Sequence, residues 1–312
     1  MALGDGYRAF HESAAWLDLS GRGPIRMTGE DRVRLLHALA ANHIQQLKPG
    51  EGCYTFFLDA QGHILGDANV LCLADALLLD TEPETRRSLY AHLDRYLIAD
   101  DVTLEDESDE TAALGVEGPQ ADGILRTLGA PVPTAAYSHE RWGESIVARL
   151  SATGAPGFRI FAPLQERTGI VRQLKAAGAV AAGSNEMRTV RLEHGRPRFG
   201  EDIDSKYLPQ ETRQLHAVHF NKGCYLGQEI VERVRSRGAV HRQLVHLEID
   251  ATEPPEAGAR IFAGEKDIGE LTSAAYSPAL GKVIAMGYVR VNEVPAEAQI
   301  TTEGAALCRL TP

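Results

Sequence analysis

The sequence predicts an α+β protein that ends in a small β-barrel. Strand-like and helix-like apolar patterns follow one another in an interleaved α+β order up to about residue 177. No stretch rich in proline, glycine or serine interrupts that order as a linker would. From about Gln243 the texture changes to short apolar runs separated by glycines, with no long helix, as expected of a small barrel. A single boundary near residue 240 therefore divides the chain into regions 1–239 and 240–312.

The elements follow in order. Ala14–Asp18 and Ile25–Met27 read as strands joined through Gly21 and Gly23. Gly29–Asp31 opens a helix with Leu36, Leu39, His43, Ile44 and Leu47 at helical spacing, stopped by Pro49–Gly50. Tyr54–Leu58, Ile64–Leu65 and Ala68–Leu73 are successive strands turned at Gln61–Gly62, and Ala76–Leu79 follows a turn at Ala74–Asp75. Pro83–Leu97 is a helix with Leu89, Leu93, Tyr96 and Leu97 on one face. Seven of the eleven residues from Asp100 to Glu110 are acidic, which predicts a solvated turn. A strand at Ala113–Val116 leads to a helix at Pro119–Leu128, then a loop over Ala130–Ser138. Ile146–Leu150 and Phe158–Phe161 pair around Gly154–Gly157, and Arg167–Ala177 is helical. The barrel strands are Leu244–Ile249, Ala259–Phe262, Ile268–Ser273, Val283–Val289 and Ala306–Leu310.

Composition narrows the function. The 312 residues are 44% hydrophobic and 24% charged, ordinary for a soluble protein of two or three packed units. A net charge of −11 argues against a surface that coats nucleic acid or anionic membrane. The four cysteines, Cys53, Cys72, Cys224 and Cys308, show neither disulfide nor zinc spacing and suit a reducing cytosol. The first twenty residues lack the apolar core of a signal peptide, and Ala68–Leu79 is too short to span a membrane. A soluble, cytoplasmic monomer without a metal site is the expectation.

Chemistry concentrates between Lys222 and Arg242. Cys224 stands between Gly223 and Tyr225, with Lys222 before it, then Gly227, Gln228 and Glu229, and a helix through Ile230, Val231 and Val234. A thiol before a helix start and near a lysine is placed to ionise and act as a nucleophile. Buried structural thiols are common, and a structural cysteine is the plainer alternative. Arg233, Arg235, Arg237, His241 and Arg242 form a basic patch suited to carboxylates or to RNA phosphates, or else to surface pairs with Glu229 and Glu232. His216 and His219 precede the motif; with Cys224 they offer three uncertain ligands, too few for a metal site.

The motif KGCYLGQE, followed by the basic segment, resembles the signature of the YgfZ-type folate-binding proteins. These are relatives of the aminomethyltransferase (T-protein) of glycine cleavage and are linked to iron–sulfur enzymes. GEDRVRLLHAL, GCYTFFLDAQGHILGD, VRLEHGRPRFGEDID, LPQE and SPALGKVIAMGYVR stand in the family's order along the chain. The resemblance implies two intertwined α+β units around a central channel that takes folate, closed on one side by the barrel. It implies tetrahydrofolate, or a one-carbon derivative, as ligand, and iron–sulfur proteins or their assembly factors as partners. Glu193, in RLEHGRP, is then expected to accept two hydrogen bonds from a pterin ring. Asp67 takes the place of a carboxylate beside the reacting nitrogens of tetrahydrofolate, although Gly66 stands where the transferases carry a second acid. Asp67 is either a proton-exchanging carboxylate in the channel or a turn residue. Tyr54 and Asn69 are further contact candidates, and Arg237 of the basic patch a candidate for the glutamyl carboxylates. Cys224, which the T-protein lacks, is the expected working residue, with Lys222, Gln228 and Glu229 setting its environment. The rival functions are a tetrahydrofolate-dependent aminomethyltransferase and a tRNA-modification factor.

Overall fold

The computed structural model describes residues 4–238, 240–293, 300–303 and 307–311. The chain opens with α1 (Asp5–Glu12), β1 (Ala15–Asp18), β2 (Gly23–Thr28) and α2 (Arg32–Leu39). Next come β3 (Gly52–Leu58), β4 (Ile64–Cys72), β5 (Leu77–Thr81), α3 (Arg86–Arg95) and β6 (Thr103–Asp106). β7 (Thr111–Glu117), α4 (Ala121–Thr127), β8 (His139–Trp142), β9 (Ser145–Ala148), β10 (Gly157–Pro163) and α5 (Arg167–Ala176) follow. β11 (Val180–Ala181), α6 (Ser184–Glu193) and α7 (Gln228–Arg237) lead to the last six strands. These are β12 (Arg242–Ile249), β13 (Arg260–Ala263), β14 (Lys266–Ser277), β15 (Lys282–Arg290), β16 (Ile300–Thr302) and β17 (Leu307–Thr311).

Two sheets form the first part. One has strand order β3-β4-β5-β2-β6 and the other β11-β1-β7-β10-β9-β8. β1 pairs with β7 and β11, far along the chain, while β2 joins the other sheet. That exchange intertwines the two α+β units. Leu71, Leu73 and Leu78 of one sheet pack with Leu17, Ala113 and Phe161 of the other in a shared core. The outer face of the five-stranded sheet is covered by α2 and α3 through Leu36, Leu39, Leu89 and Leu93. The outer face of the six-stranded sheet is covered by α4 and α5 through Ile124, Leu125, Ile170 and Leu174. The last six strands close a barrel in the order β12-β15-β14-β13-β16-β17, filled by Leu247, Ile261, Ile268, Leu271 and Val283 among others. No helix among the described residues is long and apolar enough to cross a membrane.

Several local expectations change. The helix expected to run to Leu47 ends at Leu39, where Ala40 turns extended. Buried Lys222 accounts for the stop, since its Nζ donates to the carbonyls of His37, Ala40 and Asn42. The acidic run is not wholly a turn: Thr103–Asp106 is an edge strand on β2, where Arg26 pairs with Glu107 and Arg86 with Asp106. Ile64–Leu65 and Ala68–Leu73 merge into the continuous β4. α1 and the three-residue β16 were not expected from the sequence, and Ala306 lies outside the described residues.

Candidate functional site

Alternation along the five-stranded sheet builds one wall of a cavity of about 400 Å³. Tyr54 of β3 pairs in register with Asn69 of β4, which pairs with Asp80 of β5. Period 2 places Asp67 on the same face as Asn69, and all four side chains line the cavity. The opposite wall comes from Arg159 of β10, from Met187, Arg188 and Arg191 of α6, and from the segment carrying Arg196, Arg198 and His216.

Most charges in this cavity neutralise one another. Asp80, wholly buried, accepts from Arg22 Nε at 2.9 Å, from Arg159, and from Asn69 Nδ2 at 2.9 Å. Burial alone would raise its pKa, but Arg159 and Arg22 outweigh that and hold the carboxyl below the usual range. Glu82 is held by Arg22 and by Arg198 at 3.0 Å, and Glu201 by Arg188 and Arg191, each at 2.6 Å. Asp18 pairs with Arg167. That leaves Asp67. It is buried and has no cation within ion-pair distance among the described residues, and the Tyr54 hydroxyl donates to its carboxyl at 2.6 Å. Burial first, then the neighbouring Glu82 charge, raises its pKa to about 6. The Tyr54 hydroxyl is pushed well above its ordinary range by burial and by Asp67. Asn69 Oδ1 is buried with no hydrogen-bond partner among the described residues. His216 stacks on Tyr54 with ring centroids 5.4 Å apart, and Asn42 Nδ2 ties the backbones of both residues together.

The sequence-predicted residues divide here. Tyr54, Asp67 and Asn69 converge, and Asp67 lies within a strand and not in a turn. Glu193 does not join them. Its carboxylate accepts from Tyr7 Oη and from Ser277 Oγ at 2.6 Å and pairs with His11 Nε2 at 2.9 Å. At the last position of α6 it faces α1 and the end of β14, because cavity-facing Arg188 and Arg191, five and two residues before it, lie on another side of the helix at roughly 100° per residue. Arg237 is exposed near the end of α7, away from the cavity wall. Arg242 is engaged by Glu211 at 2.9 Å and stacks over Tyr207 at 4.5 Å, and Arg235 lies over Phe220 at 4.8 Å. The basic patch is thus partly structural.

Cys224 is exposed and does not line the cavity. Lys222 does not serve it as expected, since its ammonium is turned inward onto the three carbonyls at the end of α2. Burial there lowers the Lys222 pKa to about 8. Gln228 Oε1 accepts from the Tyr225 N–H at 3.3 Å, and Glu229 is exposed. Gly223 faces open space, so no packing among the described residues requires a glycine there. Gly227 is required by the fold: its φ is +80°, and a Cβ would meet Asp59 O at 2.5 Å. His219 packs against His43 and not with His216. Sequence reasoning missed Asp80, Arg159 and Arg196, because only tertiary pairing separates structural from available charges.

The comparisons agree with this architecture. Residues 2–222 match the GCVT N-terminal domain family, and residues 242–308 the glycine cleavage T-protein C-terminal barrel domain. The chain is 30% identical over 295 residues to an aminomethyltransferase of Rubrobacter xylanophilus, covering 91% of this chain and 79% of that one. It is 32% identical over 318 residues to an aminomethyltransferase of Streptomyces coelicolor, covering 95% and 82%. The solved glycine cleavage system aminomethyltransferase T of Bartonella henselae shares the fold, with a TM-score of 0.90 over 98% of this chain and 87% of that chain at 23% identity. The chain belongs to the glycine cleavage T-protein family.

Proposed function

We propose that the cavity takes tetrahydrofolate or a one-carbon derivative and that the chain is a folate-dependent one-carbon transferase of the aminomethyltransferase type. One observation carries the reading: Asp67 is the cavity carboxylate without a cation, with a pKa of about 6. Such a group can hold or release a proton near neutral pH, as proton exchange with a ring nitrogen requires. The fit is favourable, because the orphaned Asn69 Oδ1 and the Asp67 carboxyl together accept hydrogen bonds from a ligand rich in N–H groups. The volume of about 400 Å³ lies in the range of small-molecule sites. When bound, tetrahydrofolate supplies the nitrogens that accept the one-carbon unit. Tyr54 orients the Asp67 carboxyl, His216 and Tyr54 offer stacked aromatic faces, and the paired arginines hold the other carboxylates in place. The names of the similar aminomethyltransferases support the same reading. Ammonia release from an aminomethylated lipoyl carrier in the presence of tetrahydrofolate tests it. Turnover that falls about 10²–10⁴-fold in Asp67→Asn is expected, and wild-type protein that binds folate but releases no ammonia rejects it.

A second reading is favoured by a different observation. Cys224 is exposed in KGCYLGQE, outside the cavity, where aminomethyl transfer at Asp67 has no use for it. An accessory protein of the YgfZ type, supporting iron–sulfur enzymes through this thiol with folate bound nearby, would use it. Loss of iron–sulfur enzyme activity in a deletion strain carrying Cys224→Ser, with folate affinity intact, supports that reading. Full complementation by Cys224→Ser rejects it.

A further inference from the structure

Six arginines line the cavity: Arg22, Arg159, Arg188, Arg191, Arg196 and Arg198. Five are committed to carboxylates, as described above. Arg196 is different. Its guanidinium makes no hydrogen bond or ion pair with any described residue, although its backbone is fixed at both ends, by its N–H to Arg191 O and by Arg191 Nη1 to its own carbonyl at 2.8 Å. It is half-buried, so the free charge is held in the wall and not waving in solvent.

Its position is equally particular. A second depression of about 320 Å³ opens beside the cavity, and Arg196 and Ser151 line both. The charge of Arg196 acts on Tyr54 and His216 in the cavity and on Tyr137 in the groove, so the guanidinium stands at the junction of the two spaces. Tyr137 holds a left-handed backbone there, with φ of 62°, a conformation that costs energy for a non-glycine residue. No other described residue of the groove offers a free cation: Arg149 is bound by Asp122 at 3.0 Å and lies over Phe158. The Ser151 hydroxyl is likewise spent on Glu117, at 2.9 Å.

We propose that Arg196 is the specificity residue for a ligand carboxylate, gripping the anionic end of an elongated molecule whose ring system lies against Asp67. The inference rests on the folate reading and deepens it, assigning the first glutamyl carboxylate to Arg196 and the groove to whatever extends beyond. With a single free guanidinium, the site discriminates the presence of one carboxylate and is indifferent to further glutamates. The role that the sequence suggested for Arg237 and its neighbours thereby moves to the cavity mouth.

The test is a set of affinities measured by calorimetry on the full-length protein. The probes are 5-formyltetrahydrofolate, its triglutamate, and the N-methylamide of 5-formyltetrahydropteroate (below, the pteroate), in which an amide replaces the glutamate so that no carboxylate remains. A bidentate charge-assisted contact corresponds to about tenfold to a hundredfold in affinity. Wild-type protein is therefore expected to bind the monoglutamate at least about tenfold more tightly than the pteroate, and the triglutamate about as tightly as the monoglutamate. In Arg196→Gln the gap between monoglutamate and pteroate should collapse while pteroate affinity stays unchanged; Arg196→Lys should restore part of it. Because the guanidinium makes no hydrogen bond or ion pair with a described residue, both variants should unfold close to the wild-type midpoint. An Arg196→Gln variant that still prefers the glutamate by the wild-type ratio overturns the inference alone. Wild-type protein that binds none of the three probes overturns the folate reading and this inference with it.

Discussion

Replacing Asp67 by asparagine keeps the shape of the side chain and removes its charge, so it separates the stability of this site from its chemistry. In the folded protein the Asp67 pKa rises from an ordinary 3.8 to about 6, chiefly by burial and then by the nearby Glu82. The native state therefore holds the Asp67 proton more tightly than the unfolded chain does. The associated stability is fully present below the unfolded value and is lost as pH rises through the folded one. At roughly 1.4 kcal/mol per pH unit, the loss reaches about 3 kcal/mol by pH 8, of which about 2 kcal/mol accrues above pH 4.5. Asparagine cannot ionise and still accepts the Tyr54 hydroxyl. Asp67→Asn should thus be more stable than wild type, and its advantage should grow by about 2 kcal/mol between pH 4.5 and pH 8. Urea unfolding of both proteins at several pH values, read as the difference between them, cancels the titration of every other group. Parallel stability curves would show that Asp67 is not perturbed in the fold, and the argument for proton exchange at this residue would fail with it. A variant both more stable and inactive is the pattern expected of a functional carboxyl kept in an unfavourable place.

Other outcomes follow from the same structure. Asp80→Asn leaves Arg159 and Arg22 buried without their shared counter-charge and should cost about 3–5 kcal/mol, measured by denaturant unfolding. Lys222→Met removes the donor to three carbonyls at the end of α2 and should cost roughly 2–4 kcal/mol, with loss of amide-exchange protection over residues 37–42. Glu193→Ala unpairs Tyr7, His11 and Ser277 and should loosen α1 against the barrel by about 1–3 kcal/mol; unchanged folate affinity in this variant would confirm that Glu193 lies outside the site. Alkylation near neutral pH with peptide mapping should label Cys224 before the other thiols. Burial raises the Cys53 pKa to about 12 and that of Cys308 to about 11, and raises Cys72 as well. Equal labelling of Cys53 would contradict its burial.

The sequence by itself determined the fold class, the change of texture into a barrel and most of the strands, because burial on one face leaves a period that survives without coordinates. It also placed Tyr54 and Asn69 on neighbouring strands, while Asp67 stayed open between channel and turn until the continuous β4 and the hairpin register brought all three to one face. It could not decide where α2 stops, since the agent is a lysine 183 residues beyond Leu39. Nor could it tell which charges were available. Glu193 and Arg191 are two residues apart, yet one serves the joint between α1 and the barrel while the other lines the cavity. Arg191, Arg196 and Arg198 are alike in sequence, and two of them are neutralised by carboxylates brought from elsewhere in the chain or across a turn. Coulombic pairing and desolvation act through space, and only the folded arrangement leaves Asp67 and Arg196 without an ion-pair partner among the described residues.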